Sequence, residues 1–382
     1  MRFATGKRRL RPCPLLLGSD ATKGFSFQCL IMITSLLMPL GNVRLAAVAL
    51  QPTHASSSEK QSTQVTDFVE AVGASGVVQR LPGVIVDVTG KGVTLQGLDG
   101  SIRQIPCEKV IHIEANRSAT YWESQQALKE SRINEALSLL YQARSDEPRA
   151  WVRREMTAQI VRLLHANGRY GDAAREFLAA EFASDPSSPY WSSIPLVWFP
   201  EVSLSSEIQR AEAWMRAGAP VSELLGASFL LDGSRGAEAV AVLKRLQLVP
   251  QRDIAMMAVT QLWRREVQTA DKAKIEQWER ICEGLASSLR PGPCYLIATA
   301  WRAQGDIERA MLAYLKPPIL WPENRRIAAR CLWEVASLLA KDQTEFGGVA
   351  RRLQTERLYQ ELATSYPESP WSRQIPKSQG TN

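Results

Sequence analysis

The sequence predicts a mainly α chain, a solenoid of stacked helical hairpins preceded by a small β-barrel module. Three observations carry this. A block near the N-terminal third, 76–115, is dense in β-branched residues and turn glycines. After Asn116 the apolar period changes from two to the helical 3.6 and stays there. From 118 to 370 one helix–turn–helix pattern then recurs, punctuated by Gly-Asp, Asp-Pro and Pro-Glu. A composition of 45% hydrophobic and 22% charged residues over 382 positions is that of a folded chain with room for two or three domains, so disorder is confined to the ends.

The N-terminal segment has the order of a secretory signal. A basic stretch, KRRLR (7–11), precedes the apolar run CLIMITSLLMPL (29–40), and small residues follow. Ala47-Val48-Ala49 places cleavage after 49, with Thr53-His54-Ala55 as the alternative after 55. An uncleaved membrane anchor is the competing reading, although Pro39, Gly41 and Arg44 interrupt any extension of the run into a spanning helix. The compact apolar core argues against a transit peptide, and Arg8-Arg9 lie too far from it for twin-arginine export. This leader also explains the charge. Residues 1–50 hold seven basic side chains against Asp20 alone, so of the net +7 only about one unit stays on the folded part. The basic pI therefore gives no nucleic-acid footprint.

Residues 50–75 are predicted as linker, from the small and polar composition of QPTHASSSEKQSTQV. In 76–115, Val84, Val86 and Val88 alternate with Ile85 and Asp87. Thr89-Gly90-Lys91-Gly92 and Asp99-Gly100 mark hairpins, and Val110 to Ile113 forms a last strand. Four or five strands in this length suggest a barrel of SH3-like or Sm-like size, too small to stand without packing on the helices after it. The tail, 371–382, is predicted to fray.

The helical region starts with Ile133, Ala136, Leu137, Leu140 and Tyr141 on one helix face. Its clearest unit is AWRAQGDIERAMLAYLKPPILWPEN (300–324). Gly305-Asp306 turns the chain, Ala310 is a small contact residue, Tyr314 fills the second helix and Pro322 ends it. The spacing recurs at Ala136, Leu140, Ala143 and Pro148, and at Gly168, Tyr170, Ala173, Phe177 and Ala180. A poorer copy lies at Ala239, Leu243 and Pro250, and a last one ends at Tyr359, Leu362 and Pro367. Degenerate units fill 207–231 and 254–290. This pattern resembles the tetratricopeptide repeat, a 34-residue helix–turn–helix unit. Several units lack the first-helix signature, so the superhelix is expected to be less regular than in that family. The resemblance implies packing roles for Ala136, Ala173, Ala239, Gly305, Ala310, Tyr314 and Pro322.

Chemistry-bearing motifs are sparse. Past the leader the cysteines are Cys107, Cys282, Cys294 and Cys331, with no C-x-x-C pair, and only His112 and His165 lie beyond the cleavage points. No zinc spacing results. The thiols read as small buried hydrophobes, or, in an oxidising compartment, as a Cys282–Cys294 bridge. TGKG (89–92) lacks the rest of a phosphate loop, and no nucleophile has a histidine in a recognisable context. No cofactor or metal is expected. Two features stand out as candidate partner contacts. SSPYWSSIPLVWFPEVS (187–203) cannot be a regular helix and carries Tyr190, Trp191, Trp198 and Phe199; it either binds a partner or packs on the helices. Arginines recur beside tryptophans, at Trp151, Arg153 and Arg154 and again at Trp263 and Arg264. Such groups hold acidic peptides or cover apolar surface with their stems.

A solenoid offers a long concave face suited to extended peptides. The expectation is therefore a non-enzymatic scaffold that binds a protein or peptide partner there, with no nucleic acid and with membrane contact only through an uncleaved leader. LYQELATSYPESPW is similar to repeats in bacterial envelope assembly and coordination proteins, which implies an exported location in the periplasm or envelope. The alternative is a cell-wall hydrolase whose solenoid guides substrate, which requires a carboxyl group of raised pKa in a cleft.

Overall fold

The computed structural model describes residues 16–17, 67–73, 75–200, 207–341 and 348–376. The apolar run 29–40 and both cleavage candidates lie outside them, as do 201–206 and 377–382. Among the described residues the chain is mostly helical, with thirteen α-helices following a small antiparallel sheet, and no helix is long and apolar enough to cross a membrane.

The sheet begins earlier than the sequence predicts. β1 (Asp67–Val72) falls inside the expected linker and is followed by β2 (Val78–Thr89), β3 (Gly92–Gly97), β4 (Ile102–Pro106) and β5 (Val110–Glu114). The five strands run in the order β5–β1–β2–β3–β4, all antiparallel, and the two residues Leu16–Leu17 pair in parallel with the outer edge of β5. β1 is central because it pairs on both sides: Phe68 lies opposite Pro82 and opposite Glu114. Those partners are distant in sequence, so composition around 50–64 hides the strand. A single 3-10 turn, Cys107–Lys109, joins β4 to β5.

The alternation in β2 is also not the simple one. Ile85 and Val88 are buried while Val84 and Val86 face solvent, because the β2–β3 register shifts between Ile85 and Asp87. This bulge inserts one residue and resets which face points inward. The hairpin glycines hold the expected left-handed φ, +141° at Gly92 and +79° at Gly100.

The helices are α1 (Ala119–Lys129), α2 (Ile133–Asp146), α3 (Ala150–Ala166), α4 (Tyr170–Ala179), α5 (Ile208–Met215), α6 (Pro220–Leu230), α7 (Gly236–Leu246), α8 (Arg252–Leu262), α9 (Lys272–Glu283), α10 (Pro291–Ala303), α11 (Ile307–Leu320), α12 (Arg325–Lys341) and α13 (Gly348–Ser365). Neighbours pack as antiparallel hairpins, and three hairpins share one turn. Ser131, Gly168 and Gly305 each take positive φ. The next residue's N–H then reaches the carbonyl five back: Arg132 to Ala127, Arg169 to Leu164, Asp306 to Trp301. This closure satisfies orphan carbonyls at the helix end. Alanines 136, 173, 239 and 310 are fully buried, as is Tyr314. Pro322 is exposed just beyond α11, which ends at Leu320 with Pro317 and Pro318 inside its last turns.

The helices do not form an open row. Contacts run from α3 through α4, α6 and α8 to α9, where Trp263 stacks on Trp278 at 4.8 Å, then through α10 and α12 back to α3. Inside this circuit lies the aromatic segment 190–199. Trp191 donates to the Ala183 carbonyl at 3.1 Å, and the Val197 N–H reaches Ser228 Oγ at 2.9 Å. Phe199 meets Tyr295 edge-on at 5.3 Å and Trp371 at 5.5 Å. Trp371, expected in the fraying tail, is thus a core residue at 5% exposure. The indole of Trp198 lies against Gly292 so closely that a methyl there would overlap it. Gly292→Ala is expected to lower stability by about 1–3 kcal/mol through overpacking. Urea unfolding checks it, and an unchanged midpoint would mean that the indole moves aside freely.

The β-module is keyed to α3. Trp151 is fully buried and its Nε1 donates to the Ile85 carbonyl at 3.0 Å, while Arg154 pairs with Asp87. Asp67 accepts from the N–H groups of Ile85 and Asn116, both at 3.1 Å, and faces Arg149 at 3.7 Å. Gly90, at the tip of the β2–β3 hairpin, presses on the backbone of Ser187. The sheet and the helices therefore share one hydrophobic core.

Candidate functional site

The residues singled out as partner contacts are mostly interior. Trp151 and Tyr190 are fully buried, Trp191, Trp263, Trp198 and Phe199 nearly so, and Arg264 is 9% exposed. In this conformation the aromatics present no surface to a partner, which corrects their assignment as a docking site; of the two readings open for 187–203, packing is the one seen. The arginines have structural tasks. Arg153 donates to the Glu147 and Pro148 carbonyls at 2.9 and 2.7 Å, capping the turn before α3. Arg264 donates to the Val197 and Ser228 carbonyls and to Gln261 Oε1 at 2.8–2.9 Å, and pairs with Asp232. It thereby fixes the aromatic segment to α6. Local sequence could not separate these roles, because a Trp-Arg pair looks the same whether its stem lies on the surface or in the core.

Two concavities among the described residues gather polar side chains. The larger, about 510 Å³, is a shallow depression between α2, α3 and α4. Its charged groups are paired, three arginines against two carboxylates: Arg144 pairs with Glu176 at 2.8 Å, which also accepts from the Tyr141 hydroxyl at 3.0 Å, and Arg169 and Arg175 both pair with Asp172. Burial, then the nearby Glu176 charge, push the Tyr141 hydroxyl up to about 12, so it stays protonated.

The smaller, about 50 Å³, lies between α3, the aromatic segment and the first residues of α10 and α12. α3 supplies Arg162 and His165, the aromatic segment Ser192, Ser193 and Trp198, and the start of α12 contributes Arg325 and Arg326, with Glu323 and Asn324 just before it. His165 stands edge-on to Tyr170 at 5.2 Å. Burial and then the Arg326 charge drive its imidazole down to about 3, so it is neutral. Burial lowers the Arg162 guanidinium and raises the Glu323 carboxyl. Sequence reasoning singles out none of Arg162, Glu323 or Arg326 as a site. Arg162 and Arg326 lie more than 160 positions apart, and no short motif links them.

Charge is also buried beside the β-module, where Glu155 pairs with Arg117. Burial raises the Glu155 carboxyl against the attraction of Arg117. Among the described residues no group of His, Cys, Asp and Glu could hold a metal ion.

The cysteine pair raised by the sequence is close in space. Cys282 on α9 and Cys294 on α10 are buried with their sulfurs 3.7 Å apart as free thiols. Oxidised glutathione is expected to couple them, the two thiol hydrogens and electrons passing to the oxidant, with a stabilisation of roughly 2–3 kcal/mol for so short a loop. Alkylation after denaturation, read by mass, checks this; two alkylated sites after prolonged oxidation would count against it.

The chain matches no protein-family model, no curated protein and no solved structure.

Proposed function

We propose that the chain is a non-enzymatic interaction scaffold of the bacterial cell envelope, an exported tetratricopeptide-like solenoid with an SH3-like barrel at its N-terminal end. Three shared hairpin turns and buried alanines at equivalent places support the repeat reading. The order β5–β1–β2–β3–β4, with a 3-10 turn before the last strand, supports the barrel reading. The partner is a protein or peptide.

The observation that carries the scaffold reading is α11, whose outer side exposes large apolar residues on either side of Lys316. Ala310, Ala313, Tyr314 and Pro317 fill the inner side, yet Leu312, Ile319 and Leu320 are 57–67% exposed on the other. A surface helix ordinarily turns polar residues outward, and a grouped apolar stripe marks an interaction surface. Because the inner surface holds the chain's own 190–199 segment, partner contact moves from the concave face expected from the sequence to this outer stripe. The hydrolase alternative needs an accessible acid of raised pKa. Glu155 is sealed beside Arg117, the cavity below Glu323 is too small for a sugar ring, and Asp253 and Glu361, whose carboxyls burial also raises, line neither cavity.

The test is affinity capture from envelope extract with the wild-type chain and with Leu312→Glu/Ile319→Glu. A matched control, Val84→Glu/Ile102→Glu, alters exposed residues of the β-module. Loss of the same protein from the α11 variant alone supports the reading. Capture unchanged by the α11 pair, or turnover of cell-wall polymer by the wild type, overturns it.

A further inference from the structure

Among the described residues, the Arg162 guanidinium has no hydrogen-bond or ion-pair partner. Arg162 is half-buried and lines the smaller cavity. It feels the charge of Glu323 first and of Glu155 second, but Glu155 is already held by Arg117. A half-buried guanidinium whose nearest counter-charge, Glu323, shares its cavity without a direct ion pair is incompletely compensated.

The surroundings point to the sign and size of that something. Arg325 is paired with Glu368 at 2.6 Å, which offsets its charge, and Arg326, lying over Trp371 at 4.8 Å and Tyr170 at 5.5 Å, brings a second guanidinium to the cavity wall. His165 is neutral and contributes no charge. The first residue of α12, Arg325, borders the cavity, and helix N-termini favour anions. A volume of about 50 Å³ holds several waters or one group of comparable bulk.

We propose that this cavity binds a small oxyanion, a carboxylate or phosphate group gripped by the Arg162 fork with the Asn324 amide as second donor. A planar guanidinium suits two-point contact with such a group. The oxyanion is either a free ion or the terminal group of a larger ligand.

The experiment is thermal unfolding of the full chain titrated with inorganic phosphate and with acetate, against chloride at constant ionic strength. A saturable rise in Tm is expected in the wild type, absent in Arg162→Met and shifted to at least tenfold higher concentration in Arg162→Lys, which keeps the charge and loses the fork. Glu323→Gln, which removes a repelling carboxylate, is expected to lower the half-saturating concentration. Acetyl-glycine against acetyl-glycinamide separates the sources: a response to the acid that exceeds the acetate response assigns a terminal carboxylate, and an equal one a free ion. No rise in the wild type, or an equal rise in Arg162→Met, overturns the proposal. So does a Glu323→Gln chain that is destabilised and unresponsive, since Glu323 would then be the partner. Should Arg162→Met fail to fold, the Arg162→Lys and Glu323→Gln titrations decide it.

Discussion

Replacing Trp151 with alanine is expected to lower the unfolding free energy by about 3–5 kcal/mol, the range for truncating a large buried aromatic. The indole is fully buried where α3 meets the sheet, with Arg117 and Arg149 guanidinium groups over its ring at 4.9 and 5.7 Å. Its removal also leaves the Ile85 carbonyl without its indole donor. Ile85 sits beside the β2 bulge, so the loss loosens the strand that holds the module to the helices. Trp151→Phe keeps most of the packing and removes the hydrogen bond, and should cost about 1–3 kcal/mol for the unsatisfied carbonyl. Denaturant unfolding followed by tryptophan fluorescence and by far-ultraviolet dichroism measures both. Trp151→Ala should also lose its single transition, the sheet signal going first. If both variants unfold at the wild-type midpoint, the module does not depend on this contact.

Arg264→Ala is expected to have a comparable effect, about 3–5 kcal/mol, because it strands a network and does not merely remove a contact. The guanidinium satisfies the Val197 and Ser228 carbonyls and pairs with Asp232, and its side chain is 3% exposed. Without it those acceptors face an apolar interior. The segment 190–199 is held to α6 by this arginine and by Ser228, so its release should be local before it is global. Limited proteolysis is expected to cut the variant near 190–206 at a denaturant concentration that leaves the wild type intact. Arg264→Met, which restores volume but no donors, should recover only part of the loss. A proteolysis pattern identical to the wild type would show that the aromatic packing alone retains the segment.

The two substitutions show which structural information is local. Helical period, turn glycines and small contact residues are properties of short windows. They place the hairpin closures at Gly168 and Gly305 and the buried alanines 136, 173, 239 and 310. β1 is illegible in the sequence because its partners lie in β2 and in β5, and six residues give little periodicity to read. Trp371 reads as tail because its ring contacts, Phe199 and Arg326, lie far away in the chain. The exposed stripe on α11 does carry a signal. Leu312 and Ile319 are apolar at positions where the helix face opposite Ala310 and Tyr314 should be polar.

The sequence by itself determined a helical chain of hairpins behind a short strand-rich block, because hydrophobic period and turn chemistry are set by residues within a few positions of one another. The tertiary structure decided that the aromatic segment 190–199 lies inside the helical circuit, and that Arg162 faces a cavity with Arg326 nearby. Those arrangements depend on α3 meeting α12, elements about 160 residues apart. Packing across such a separation leaves no periodic trace in either segment, since each side chain is chosen to fit a surface that the rest of the chain supplies.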